Sequence, residues 1–441
     1  MKVSIAKYWD RLQTSFWFVP AGMAASAIAL SVVMVAFDRK TVERGDSLGS
    51  WVYSGGAEGA SAVLGTIAGS MITIAGVVFS LTLVALSLAS SQLGPRLLRN
   101  FMRDRANQVV LGTFVATFLY SLLVLRTIRR ADEIAFVPHL AVTLAVLLAI
   151  ASIAVLIYFI HHVSVSIQAD AIIARVYDDV IAGIARLYLE NPADVAEPPP
   201  EARNTADPSE AGTQELPALG DGYIDFIDID ALVEFASEAG VVIRLLRRPG
   251  TYVVRGSVLA QVSPPRPAHK SATERVNDAI VLSSQRSPAQ DVEFSVNQLV
   301  EIAVRALSPG VNDPFTAVAC VDRLGSALAF AARRNPRSPL RFDESGALRV
   351  IVQSPSFENL CDSAFNQIRQ NAGGNAALTI RLLETIEMIA PSSESVAVRD
   401  PLVRHAEMII RGARQGLAEE NDLRDAEQRF VRASAALHGA S

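Results

Sequence analysis

Lysine is nearly missing from this chain: Lys2, Lys7, Lys40 and Lys270 are all that 441 residues contain. Cysteine is scarcer still, with Cys320 and Cys361 far apart. That excludes a disulfide framework and a cysteine zinc site, and it agrees with a reducing compartment. Charge is absent from four long segments. Residues 12–37, 59–95, 106–125 and 134–169 hold no Asp, Glu, Lys or Arg over 26, 37, 20 and 36 positions. About 20 apolar residues cross a bilayer, so each run is long enough. With 50% hydrophobic and 19% charged residues, the chain reads as an integral membrane protein carrying a large soluble part.

Enzyme signatures are absent as well. There is no Gly-x-Gly-x-x-Gly after a strand, no Walker loop, no His-Glu-x-x-His and no Gly-x-Ser-x-Gly. Asp225, Asp228 and Asp230 in YIDFIDIDAL lack the glycine and distal glutamate of a calcium loop. No catalytic residue, cofactor or metal ligand is therefore assigned, and enzymatic activity is disfavoured.

The charge that is present divides the chain. Residues 1–164 carry 13 Lys or Arg against 8 Asp or Glu, whereas residues 165–441 carry 27 against 37. An acidic soluble part without basic arms argues against a nucleic-acid partner, which needs a basic face to displace counterions. The expected spans are about 16–37, 60–90, 109–125 and 135–159, within a membrane domain of residues 1–164. Trp9, Trp17 and Trp51 fall at span ends, where amphipathic rings prefer the headgroup zone. Lys and Arg number three in the N-terminal arm and four in the second loop, against three in each of the other loops. This bias points to an inner membrane with cytoplasmic termini.

Beyond the fourth span, Ile172, Val176, Val180, Ile184 and Leu187 recur at helical spacing, so residues 165–190 are expected to leave the membrane as an amphipathic helix. Residues 191–221, rich in Pro, Glu, Asp and Ala, read as an acidic linker. Residues 222–263 contain short β-branched runs separated by Pro249-Gly250 and Arg255-Gly256, which suggests a small β-module. Residues 264–441 return to three-and-four periodicity and are expected to be helical, with one lone strand over Arg349–Ser354.

The second span is the most informative segment. Steps of three and four give Ala62, Thr66, Gly69, Thr73, Gly76, Ser80, Leu83, Ser87, Ser90 and Gly94, a face that is small or hydroxylated except at Leu83. Small residues let helices approach closely and hydroxyls bond across the contact; the same face around an axis would line a water-filled path. Both uses stay open. Arg96, Arg99 and Arg103 follow, either as a cationic ring at an inner mouth or as an anchor on anionic lipid. No carboxylate, Lys or Arg lies inside the expected spans, where His139 near the start of the fourth is the exceptional ionisable group, and His161 and His162 mark that span's end. Energised transport usually needs such groups, so passive conduction or simple anchoring is what remains.

In the soluble part, Glu301, Arg305, Asn312, Asp313 and Thr316 form the densest polar cluster, in EIAVRALSPGVNDPFTA. Pro309 ends one helix near Leu307, and Asp313 with Pro314 starts the next. A helical turn accounts for all of them; a ligand or partner site on the turn is the sharper alternative.

That segment, with GTIAGSMITIAGVVFSLTLVALSLASSQLGPRLLRNF and LGTFVATFLYSL, resembles the predicted bacterial membrane proteins of the domain-of-unknown-function 2254 family over nearly the whole chain. The resemblance implies an integral membrane protein and transfers no site residues. The expectation is an α-helical membrane protein: four transmembrane helices plus a mostly α cytoplasmic domain with a small β-module. It sits in the lipid bilayer as a homo-oligomer without a nucleic-acid partner, and acts as a passive channel or as a membrane-anchored sensor or scaffold.

Overall fold

The computed structural model describes residues 17–44, 52–93, 105–129, 136–189, 212–265 and 270–439. The chain divides into two compact units, Met1–Ala171 and Ile172–Ser441.

The first unit is a bundle of α1 (Phe18–Arg44), α2 (Ala57–Leu93), α3 (Arg105–Leu125) and α4 (His139–Ser166). Helix α3 is central, packing on the other three and burying Val110, Phe114, Tyr120 and Val124. Gly112 is what lets α1 come close: a Cβ there would stand 3.2 Å from the Pro20 Cα and 2.5 Å from the Met23 sulfur. Some polar groups of this bundle turn inward. Thr117 and Ser152 bond each other at 3.1 Å between α3 and α4, and the Tyr120 hydroxyl donates to the Ala141 carbonyl at 3.1 Å. Val32, Val33, Ile153 and Ile157 face outward, the arrangement expected where lipid replaces water.

In the second unit, α5 (Ala169–Leu187, its first residues in the other unit) precedes β1 (Tyr188–Leu189), which pairs with the later β8 (Asn335–Pro336). A five-stranded sheet has the order β2-β6-β4-β10-β9, from β2 (Gln214–Pro217), β4 (Val242–Leu245), β6 (Val258–Ser263), β9 (Leu340–Phe342) and β10 (Leu348–Ile351). A three-stranded sheet joins β5 (Tyr252–Val253), β3 (Gly222–Ile227) and β7 (Ile280–Ser283). Helices α6 (Ile229–Ala239) and α7 (Lys270–Asp278) complete this layer around Leu232, Ile243, Leu259 and Val276. Asp228 caps α6 by accepting from Ala231 N at 3.1 Å, and Asp225 accepts from the Ser287 hydroxyl, so two of the three acids of YIDFIDIDAL have structural partners.

The sheet extends past residues 222–263 at both ends. The last part of the acidic segment supplies β2, because Leu216 alternates into the core against β6. The strand expected to stand alone, β10, runs parallel to β4 and antiparallel to β9. The remainder of the acidic segment, residues 191–211, lies outside the described residues, as does residue 190 before it.

A helical bundle follows: α8 (Val292–Ala306), α9 (Pro314–Ala332), α10 (Phe357–Asn371), α11 (Ala376–Ile389), α12 (Val396–Gly416) and α13 (Glu420–His438). Among the described residues five helices are long and apolar enough to cross a membrane: four in the first unit, and α9 in the second. Helix α9 buries Ala317, Cys320, Val321, Leu324 and Leu328 and packs on α8, α10 and α11. The protein is thus mostly helical, with five candidate apolar helices and a small β region.

Candidate functional site

Helix α2 has two different long faces. Leu64, Ala68, Met71, Ala75 and Val78 are buried in the bundle. One or two positions further along, with the centre of the face roughly 160° around a helix of 3.6 residues per turn, lie Thr66, Gly69, Thr73, Gly76 and Ser80, with Ser87 beyond; all are exposed. A Cβ placed on Gly65, Gly69 or Gly76 would meet no atom within 4 Å. The small, hydroxylated stripe therefore faces away from its own bundle, whose internal hydroxyl contact is the Thr117–Ser152 pair instead.

The stripe's chemistry is one-sided. Thr66 donates its hydroxyl proton to the Ala62 carbonyl at 2.8 Å, and Thr73 donates to Gly69 at 2.8 Å. Such back-bonding satisfies the donor within the helix, so these side chains offer outward only oxygen lone pairs. Acceptors of that kind suit water, a cation, or a donor on a facing helix. The side chain of Ser90, and Arg96, Arg99 and Arg103 altogether, lie outside the described residues.

One end of the bundle holds a polar lock. Asp38, only 1% exposed, accepts from Leu140 N at 2.9 Å and Ala141 N at 2.8 Å. A carboxylate from α1 thus satisfies free N–H groups at the start of α4, where the helix dipole also favours negative charge. His139 Nδ1 lies 2.8 Å from the Tyr53 carbonyl, and Tyr53 N donates to the Thr143 hydroxyl at 2.9 Å. His139 therefore ties the segment before α2 to α4. Asp38 carried a weak signal in sequence, as the first charge after an uncharged run; nothing there named its partner 102 residues on.

The polar cluster of the second unit sits where α8 turns into α9. Glu301 and Arg305 form an ion pair at 3.7 Å, one helical turn apart. Asp313 caps α9, accepting from Thr316 N at 3.1 Å and its hydroxyl at 2.6 Å, bonds that hold its carboxyl below the usual carboxylate range. Pro314 takes the first helical turn, and Asn312 sits at φ 51°, a left-handed conformation that asparagine tolerates. These residues come together in one turn, and each has a role in making it. Residues not singled out in sequence stand at its tip: Val311 is exposed, and Phe315 is 84% exposed. Among the described residues no cluster of His, Cys, Asp or Glu has the makings of a metal site.

Comparison with known proteins agrees with the apolar bundle. Residues 13–388 match the family model described as a predicted membrane protein, DUF2254. The uncharacterized protein MT1328 of Mycobacterium tuberculosis (strain CDC 1551 / Oshkosh) is 32% identical over 420 residues, covering 94% of this chain and 79% of the relative. Uncharacterized protein Mb1321c of Mycobacterium bovis shows the same identity and coverage. No solved structure matches this chain. On a family match that spans most of its length, in both units, the chain belongs to the DUF2254 family of predicted membrane proteins.

Proposed function

We propose that the protein is a homo-oligomeric passive channel for ions or small solutes in the cell inner membrane, with four transmembrane helices over residues 1–164 and both termini cytoplasmic. The observation that carries this reading is the outward stripe of α2, Thr66 to Ser87. Branched apolar residues serve lipid contact well, whereas small residues are useful where another helix approaches or where water needs room. Uncharged runs without carboxylates or cations favour passive over energised passage. Arg96, Arg99 and Arg103, next in the chain, would ring the inner mouth or bind anionic headgroups. Helix α9 is counted with the soluble unit because its apolar side is already covered by α8, α10 and α11.

A second reading, a membrane-anchored sensor or scaffold, is favoured by the exposed Val311 and Phe315 on the turn that carries Glu301, Arg305, Asn312, Asp313 and Thr316. One experiment separates the two. The full chain is purified in mild detergent, its assembled mass is determined, and chloride and potassium flux through reconstituted liposomes is recorded for wild type, Gly76→Leu and Ser80→Leu. A ring of several subunits that conducts, with flux altered and mass unchanged in the variants, is the expected result. A monomer or dimer that passes neither ion sinks the channel and favours the scaffold; lost assembly in the variants makes the stripe a packing seam.

A further inference from the structure

The second unit is acidic, yet one of its cavities is basic. A half-open cavity of about 240 Å³ lies between the end of α5, the segment after β4, the start of α8 and the segment after β10. Arg186, Arg247, Arg248 and Arg341 line it, and Asp291 is its single lining carboxylate. That carboxylate is already neutralised by Arg286 at 2.7 Å and also caps α8 through Phe294 N at 3.1 Å. Arg248 is matched as well, bidentate to Glu293 at 2.7 and 2.9 Å.

Three cations remain over. Arg186 donates to the Pro288 carbonyl at 3.2 Å, Arg341 donates to the Leu340 carbonyl at 3.0 Å and to Ser338, and none of Arg186, Arg247 and Arg341 forms an ion pair with a carboxylate among the described residues. Burial and the neighbouring charge of Arg337 push the Arg341 guanidinium below its ordinary value, the signature of a cation without a counter-charge. Arg341 is partly buried and Arg186 and Arg247 stand exposed at the cavity's edge, so an anion entering there would compensate the one desolvated cation and find two more at hand. The floor is apolar, with Ile227, Leu245 and Val352 on it.

We infer that this cavity binds a small organic anion bearing a phosphate group, its phosphate held by Arg186, Arg247 and Arg341 and its compact apolar body seated on the floor. Three unmatched arginines call for a multivalent anion, since a single carboxylate would leave two of them uncompensated, and the guanidinium fork fits phosphate oxygens two at a time. The volume lies below the range of about 300–1,000 Å³ typical of drug-sized ligands, so the ligand is nearer in size to phenyl phosphate than to a dinucleotide. Nothing in this site depends on whether the membrane helices conduct.

The test is calorimetric titration of the full-length protein in detergent with phenyl phosphate, phenol, inorganic phosphate and a short-chain phosphatidic acid kept below its micelle concentration. Phenyl phosphate is expected to bind more tightly than either phenol or inorganic phosphate. Arg247→Gln and Arg186→Gln each change an exposed side chain and are expected to weaken that binding about tenfold, with the melting temperature unchanged. Phosphatidic acid binding that the same substitutions weaken makes a lipid headgroup the natural source of the phosphate and supports the site. Phenyl phosphate binding no better than phenol, or binding equally well to both variants, overturns it.

Discussion

The two units both have apolar cores but differ in what they turn outward. In the first, Ile153 and Ile157 are more than half exposed while Asp38, Thr117 and Ser152 are interior. In the second, Leu232, Ile243, Leu382 and Ile386 are fully interior, and outer charges pair with one another, as Arg414 does with Glu427 at 3.0 Å. That difference follows from the solvent: in lipid an unpaired polar group is the costly one, whereas in water an exposed apolar one is. Helix α9 shows why composition alone misses this. It is apolar enough to span, yet its apolar side is covered by the neighbouring helices α8, α10 and α11.

The sharpest break of that comparison contrasts two glycines of the first unit. Gly112→Leu forces a branched side chain against the Pro20 backbone and Met23 and should lower stability by about 3 kcal/mol or more. It is read as lost cooperative unfolding in detergent. Gly76→Leu meets open space and should leave the melting temperature of the isolated subunit unchanged.

Next in size is Asp38→Ala. Two N–H groups at the start of α4 lose their acceptor, which should cost about 2–3 kcal/mol. Asp38→Asn, which keeps one acceptor oxygen, should recover part of the loss in the same thermal melt; equal melts for Asp38→Ala and wild type would remove the lock from the account.

The second unit responds to pH instead, through His405. This imidazole is fully buried, bonded through Nε2 to Asp362 at 2.9 Å, and burial pushes its pKa down to about 4 from 6.5 against the pull of Asp362. The unfolded chain therefore takes up this proton at higher pH than the folded one. The stabilisation is complete above about pH 6.5 and is lost as the pH falls through about 4, on the order of 3 kcal/mol. His405→Gln should flatten denaturant midpoints over that window; an unchanged slope would assign the titration elsewhere. The smallest effect is expected for Thr117→Val, which removes one interhelical hydroxyl bond at about 0.6 kcal/mol in a membrane setting.

Much of this contrast was legible in the chain. The uncharged runs announced apolar helices, and Asp313 with Pro314 announced the start of α9, because both depend on neighbours in sequence. The strands were read less well: β2 was hidden in a segment whose Pro and Glu suggested a linker, and β10 could not be assigned its partner β4, since a parallel pairing leaves no local trace. The stripe on α2 was visible as a period, but period says nothing of which face a helix turns to its neighbours. The arginine-lined cavity gave no signal, as Arg186, Arg247 and Arg341 belong to separate segments.

By itself, then, the sequence determined the membrane character, the helical majority and the helix caps, all consequences of short-range composition and spacing. Only the tertiary structure decided that the stripe faces outward, that Asp38 serves the end of another helix, that α9 is covered by its neighbours, and that three unmatched arginines share one cavity. The physical reason is that burial and charge compensation are properties of groups brought together by folding, and no single segment carries them.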